Sequence, residues 1–143
     1  MNYTIEMRFV DSNILIYAIA NGSDEQEKSR RALRILEDAD LAFSVQVLQE
    51  FYVQATRDTR RDRISHEEAV AFIQALCEFP VQELTVSVLQ SALATKHRYQ
   101  ISYWDAAIIE AARALGCREV LSEDLSDGQD YGGVRVVNPF RPT

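Results

Sequence analysis

The first four of five short apolar runs in this chain are separated by stretches whose apolar residues recur at helical spacing, an alternation that leaves few folds open. Met7 to Asp11, Leu41 to Phe43, Val81 to Leu84, Val120 to Ser122 and Val134 to Asn138 read as the strands. Strands separated by helical patterns imply a largely parallel sheet with helices on its faces. The prediction is an α/β fold with a central parallel sheet of four to five strands sandwiched by helices (α/β/α), in one domain over residues 1–143. A chain of 143 residues that is 47% hydrophobic can bury about two-thirds of its unfolded surface as such a domain.

Capping chemistry marks the helices. Asn13 to Ala20 reads as an apolar helix closed by Asn21 and Gly22. Ser23 and Gln26 form a capping-box pattern before Ala32, Leu33, Ile35 and Leu36. Ser44 caps a helix with Val47, Leu48, Phe51, Tyr52 and Ala55 on its apolar stripe, and Glu50 lies near one edge of that stripe. Ser65 and Glu68 form a second capping box, and Pro80 stops that helix. Thr85 to Arg98 is helical by pattern, with Val86, Leu89, Leu93 and Ala94 facing inward. Ser102 caps the helix from Trp104 to Leu115, which Gly116 ends. The loop DLSDGQDYGG is mobile by composition.

Four acids break this apolar frame. Asp11, Glu50, Asp105 and Asp124 lie in RFVDSNILIYA, VLQEFYV, YWDAAIIEAA and VLSEDL, where a carboxylate is costly unless a cation or hydrogen bonds compensate it. In open parallel sheets ligands bind outside the carboxyl ends of the strands, where Asp11 and Asp124 fall. Several carboxylates drawn together there repel one another unless a cation neutralises them. An oxygen-only donor set without histidine or thiolate suits Mg²⁺ or Mn²⁺, which activates water for in-line attack on phosphorus. Plainer explanations compete. Asp105 stands three residues after Ser102 and suits a helix cap; Glu50 suits a solvent edge; Asp124 suits a turn. Asp11 is the hardest to dismiss, because Ser12, Asn13 and an apolar helix follow at once, with Asn13 either capping that helix or orienting Asp11. His66 and His97 have no metal role in this reading, Tyr103 and Trp104 are packing residues, and Glu110 is a solvated helix residue.

Charge narrows the partners. A net charge of -7 and a pI near 4.8 argue against nucleic-acid binding through a general positive field, so any such contact must be local. Eight of the fifteen basic residues form two groups: Lys28, Arg30, Arg31 and Arg34, then Arg57, Arg60, Arg61 and Arg63. The first reads as solvated helix faces. The second, in TRDTRRDR, fits phosphate or partner contact as well as it fits a solvated loop. Cys77 and Cys117 read as buried free thiols in a reducing cytosol. The start of the chain lacks a signal peptide's features, and the longest apolar run, Ile14 to Ala20, is far below the roughly 18 residues of a membrane span, so a soluble cytoplasmic protein is expected.

Taken in order, FVDSNILIYA with Asp11, VLQEFYV with Glu50, SYWDAAIIEAA with Asp105, and VLSEDLSDGQ with Asp124 followed by GVRVVNPF resemble the PIN domain nucleases, and among them the small VapC toxins. The resemblance spans nearly the whole chain. It implies a Mg²⁺ or Mn²⁺ site on the four acids, endonucleolytic cleavage of RNA, homodimers, and inhibition by a partner antitoxin. Ser122 matches the family's Ser or Thr two residues before the fourth acid, and Asn13 its small polar residue two after the first; both are implied to order metal-bound water. Glu123 and Asp127 flank Asp124, and either could supply or share the fourth position.

Two other functions compete with a metal-dependent endoribonuclease. A PIN-like module could bind RNA or protein without cutting. Phosphoryl chemistry on Asp11 is the third reading, but it needs a second acid close by and a lysine at a later strand end. Position 13 is Asn, and the only lysines, Lys28 and Lys96, lie in predicted helices.

Overall fold

The computed structural model describes residues 6–20 and 25–141. Its strands are β1 (Arg8–Val10), β2 (Leu41–Ser44), β3 (Val81–Gln82), β4 (Glu119–Leu121) and β5 (Arg135–Val137). They form one sheet in the order β3-β2-β1-β4-β5, with every neighbouring pair parallel. Phe9 lies opposite both Ala42 and Val120, and Val10 opposite Leu121. A bond from Asp11 N to Leu121 O, 3.0 Å, extends the pairing one residue, so the chain leaves β1 and β4 side by side.

The helices are α1 (Ser12–Ile19), α2 (Gln26–Leu36), α3 (Val45–Ala55), α4 (His66–Leu76), α5 (Val86–Tyr99) and α6 (Tyr103–Ala114). From β1 through β2 to β3 the chain moves one way across the sheet; from β3 to β4 it returns past β1 to the other side. Right-handed crossovers in opposite directions put their helices on opposite faces. The packing agrees: α1 lies against α2 and α3, and α5 against α6. The direction reverses between β1 and β4, which opens a crevice at their carboxyl ends.

Phe9, Val10, Leu41, Phe43, Val120, Leu121 and Val136 form the buried sheet, covered by Ile14, Leu15, Val47, Phe51 and Ile109. Small residues Ala106, Ala107, Ala111 and Ala112 let α6 lie close against its neighbours, and every residue from Ala106 to Ala112 is buried. The expected caps are made: Ser44 accepts from Val47 N and Ser102 from Asp105 N, while Ser65 and Glu68 form a full capping box; Thr85, read as the first helical residue, caps α5 by accepting from Val88 N. Gly116 ends α6 at φ +82°, where a side chain would be strained. The expected stop at Asn21-Gly22 and the cap at Ser23 lie outside the described residues; α2 follows Glu25, which makes no side-chain cap bond.

Several expectations need correction. The apolar residues of α5 do not face inward: Val86 is 68% exposed and Leu93 51%, with Leu89 exposed too. Helical spacing identifies an apolar stripe but not what covers it, and α5 packs on α6 through Ala92, in a small cluster with Ala106 and Ala107. Cys77 is exposed and only Cys117 is buried, because Cys77 stands one position past Leu76, the last core residue of α4. Glu110 is buried, not solvated: Arg113 Nε donates to it at 2.9 Å and Thr95 Oγ1 at 2.8 Å. Trp104 is 65% exposed.

The loop after β4 is fastened along its length. Gly128 N donates to Val136 O and Val136 N to Gln129 O, at 2.8 and 3.0 Å. Buried Tyr131 meets Tyr99 edge to face, and Arg113 donates to the Tyr131 and Gly132 carbonyls.

Candidate metal centre

Asp11 leaves β1 with extended backbone and is itself the N-cap of α1. One carboxylate oxygen, Oδ1, accepts from Ser12 N at 2.7 Å; the other, Oδ2, accepts from the Ser122 hydroxyl at 2.8 Å. Ser122 is fully buried just past β4, and its Oγ also accepts from Asp124 N at 3.2 Å. One side chain therefore ties the first acid to the backbone of the fourth.

Asn13 spans the same gap. Its Nδ2 lies 3.3 Å from Asp11 Oδ2, 3.2 Å from Ser122 Oγ and 3.2 Å from Asp124 Oδ2, and its Oδ1 accepts from Glu123 N at 3.1 Å. An amide has two hydrogens for those three oxygens, so no contact is strong and the carboxylates stay under-donated. Of the two roles open to Asn13 in the sequence, orientation of the acids is the one it takes. Ser12 and Ser122 likewise serve the acids directly, through a backbone N–H and a hydroxyl.

The other two acids come from helices. Asp105 sits in the first turn of α6, where Ser102 accepts from its backbone N–H and hydrogen-bonds its carboxylate. Glu50 lies midway along α3, one turn after Gln46, and its Oε1 is buried with no hydrogen-bond partner.

Electrostatics show that the four share one field. Burial is the main cause that raises the Asp11 pKa; the Ser122 and Ser12 bonds oppose it, and the charges of Asp124 and Asp105 add to it. Burial also raises Glu50, reinforced by Asp11, Asp105 and Asp124 and opposed by Gln46. Asp105 is raised by burial and by Asp124, with its Ser102 bond opposing. The charges of acids remote in sequence thus act together on Asp11, Glu50 and Asp105. Among the described residues no three His, Cys, Asp or Glu side chains are placed so that they could hold a metal ion as they stand. The orphaned Glu50 oxygen, the under-donated Asp124 carboxylate and the oxygen-only donor set nonetheless fit the chemistry of a hard divalent cation.

Neither neighbour of Asp124 points into this group. Glu123 accepts from Tyr17 OH and from Lys28 Nζ, each at 2.6 Å, and Asp127 accepts from Asn138 N and pairs with Arg141. The basic loop is divided: Arg60 pairs with Asp62 at 3.0 Å and Arg63 with Asp58 at 3.5 Å, while Arg57 and Arg61 are exposed. Four arginines and two aspartates leave residues 57–63 with two net positive charges. In the first basic group, Arg30 and Arg31 pair with Glu27, as on a solvated helix face, whereas Lys28 reaches Glu123. Sequence reasoning missed Lys28, Tyr17 and Gln46; only the i, i+4 spacing of Gln46 from Glu50 was a usable signal. His66 and His97 are exposed and apart from the acids, with His66 bonded to Tyr52.

A parallel sheet with helices on both faces, and with Asp11 and Asp124 just past the ends of β1 and β4 where its connections reverse, defines an α/β domain. The PIN domain family model matches residues 8–126, and the chain belongs to the PIN domain family. No curated protein matches it. Solved structures similar to it include a toxin–antitoxin complex from Klebsiella pneumoniae, at 21% identity and TM-score 0.68, covering 94% of this chain and 99% of that one. Another is VapC20 from Mycobacterium tuberculosis, a toxin that cleaves the sarcin-ricin loop, at 21% identity and TM-score 0.63 over 82% and 91%. A third is VapBC2 from Rickettsia felis bound to a promoter DNA fragment, at 14% identity and TM-score 0.62 over 91% and 96%. At these identities the likeness is one of fold. Among the described residues no helix is long and apolar enough to cross a membrane.

Proposed function

We propose that this protein is a Mg²⁺- or Mn²⁺-dependent endoribonuclease, the toxin of a VapBC-type pair, acting in the cytoplasm as a homodimer restrained by an antitoxin. What supports the reading is that the charges of Asp11, Asp105 and Asp124, carried by separate elements, bear on one another and on Glu50, whose buried Oε1 is unpartnered. A group of like charges held against its own repulsion is a pattern of functional sites.

These four acids would hold the cation, which when bound would activate a water for in-line attack on phosphorus and offset charge on the leaving oxygen. The protein's own share is placement. Ser12 N–H and Ser122 fix both oxygens of Asp11, and Ser102 holds Asp105 at the start of α6. Asn13 keeps Asp124 facing Asp11. Burial of Asp11 between β1, α1 and β4 excludes water that would otherwise screen it. Arg57 and Arg61 are available to the RNA backbone.

A homodimer is supported by the uncovered apolar face of α5. Leu84, Val86, Leu89 and Trp104 are all exposed and line one cavity of about 480 Å³ beside the first turn of α6. Contiguous exposed apolar surface of this kind marks an association site. An antitoxin is supported by the structural neighbours that are toxin–antitoxin complexes.

The test is RNA cleavage by purified, antitoxin-free protein. Cleavage that requires Mg²⁺ or Mn²⁺, stops with chelator and is lost in Asp11→Asn supports the proposal. RNA binding with no cleavage in either metal would instead favour a silent binding module.

A further inference from the structure

Lys28, Tyr17 and Glu123 form a closed triangle beside the acidic group. Lys28 Nζ lies 2.6 Å from Glu123 Oε2 and 3.2 Å from Tyr17 OH, and Tyr17 OH lies 2.6 Å from Glu123 Oε1. The Lys28 ammonium also stands 5.0 Å from the Tyr17 ring centre and 5.8 Å from that of Phe140, whose rings meet edge to face. Both oxygens of Glu123 are thus occupied, and its charge is matched by one cation.

The residues on either side give the triangle its meaning. Ser122 is locked into the interior by Asp11, and Glu123 N is held by Asn13 Oδ1. Once the Glu123 side chain is fixed to α1 and α2, residues 122 and 123 are both immobilised and the Asp124 Cα–Cβ direction is set. Asp124 itself is exposed and gains little from burial, and among the described residues its carboxylate has only a long 3.2 Å contact to Asn13. Its aim depends on its neighbours more than on its own contacts.

We propose that Lys28, with Tyr17, acts as a positioning residue for the metal centre: by holding Glu123 away from the acids it aims Asp124 at them and keeps Glu123 out of the donor set. This rests on the metal-centre reading above. Simple charge makes the opposite forecast for Lys28, because removing a nearby cation should tighten binding of another cation. Freeing Glu123 to coordinate should also tighten it. Only a positioning role makes loss of Lys28 weaken binding.

The experiment is Mn²⁺ titration by calorimetry on the full-length protein, with melting of the metal-free forms alongside. Lys28→Met should weaken Mn²⁺ binding about tenfold, the lower end of what loss of an outer-sphere partner does to a metal site. Metal-free melting should stay within a few degrees of wild type, because a partly exposed ion pair adds little stability. In an Asp124→Asn background the same change should cause no further loss of affinity, since the weakening runs through Asp124. Unchanged or tighter binding in Lys28→Met, or a second full loss in the Asp124→Asn background, overturns the proposal. If Lys28→Met does not fold, Tyr17→Phe, which removes one donor to Glu123 and no charge, is read by the same criteria with a smaller loss expected. A wild-type protein that binds no Mn²⁺ overturns the metal-centre reading itself, and this proposal with it.

Discussion

Replacing Asp11 by Asn should stabilise the metal-free protein and abolish its stabilisation by metal. Asp11 Oδ2 and Asp124 Oδ2 contact the same Asn13 nitrogen at 3.3 and 3.2 Å, so they stand at most about 6.5 Å apart. Two like charges at that spacing repel by roughly 2.5 kcal/mol at an effective dielectric constant of about 20. Asp124 is exposed, and solvent screening reduces the net figure to about 1 kcal/mol. Loss of the Ser122 hydroxyl bond opposes that gain, because Ser122 Oγ already accepts from Asp124 N and Asn13 Nδ2 and cannot take a third donor from the new amide. Asn is as good an N-cap as Asp for the Ser12 N–H, and the Asp11 pKa is raised in spite of the Ser122 bond, so the balance still favours a neutral side chain. Metal-free Asp11→Asn should therefore melt above wild type by up to about 3–5 °C, the shift expected of about 1 kcal/mol in a chain of this size.

Metal should reverse the order. At a Mn²⁺ concentration 100 times its Kd, wild type gains about 2.7 kcal/mol by mass action and the variant almost nothing. The pH dependence has a definite sign. Burial raises the Asp11 pKa, so between the unfolded value and the raised one the native state binds the extra proton. The wild-type handicap is accordingly full above the raised pKa and fades as pH falls through it toward the unfolded value. Thermal melts of both proteins, with and without Mn²⁺ across that range, test the reasoning. A metal-free variant less stable than wild type, together with equal Mn²⁺ responses, would refute it.

Ser122→Ala removes a fully buried donor to Asp11 and should lower unfolding stability by about 1–3 kcal/mol, while moving the acid limit of Mn²⁺ binding to higher pH; denaturant melts and a pH titration of binding read the two effects. Leu89→Glu puts a charge on the exposed apolar face of α5 and should convert a dimer to monomer in analytical ultracentrifugation without lowering the melting temperature of the monomer. Arg57→Ala with Arg61→Ala should weaken RNA binding alike for all sequences and reduce its salt dependence by about two phosphate contacts, leaving Mn²⁺ affinity unchanged.

What the sequence reveals follows from how local each cause is. Asp11 stands out because an acid that ends an apolar strand and starts an apolar helix is buried, and its cap bond to Ser12 N–H accounts for one oxygen alone. The caps at Ser44, Ser65 and Ser102 are legible because donor and acceptor lie within three residues. The outer face of α5 is misread because periodicity reports an apolar stripe without naming its cover. Glu110 is misread because its partners Arg113 and Thr95 are common on solvated helices, and only the close approach of α5 to α6 turns them inward. Tyr131 lies among polar and glycine residues that suggest mobility, yet its ring is buried and fastens the loop. The Lys28–Glu123 pair spans 95 residues, and no local pattern announces it.

Anomalous X-ray diffraction from a crystal soaked in Mn²⁺ tests the central claim most directly. The account expects a manganese peak enclosed by the carboxylates of Asp11, Glu50, Asp105 and Asp124, with Glu50 Oε1 turned toward it or toward a water it holds. Full Mn²⁺ occupancy elsewhere on the protein, with those four side chains left as they are in the metal-free state, would contradict it.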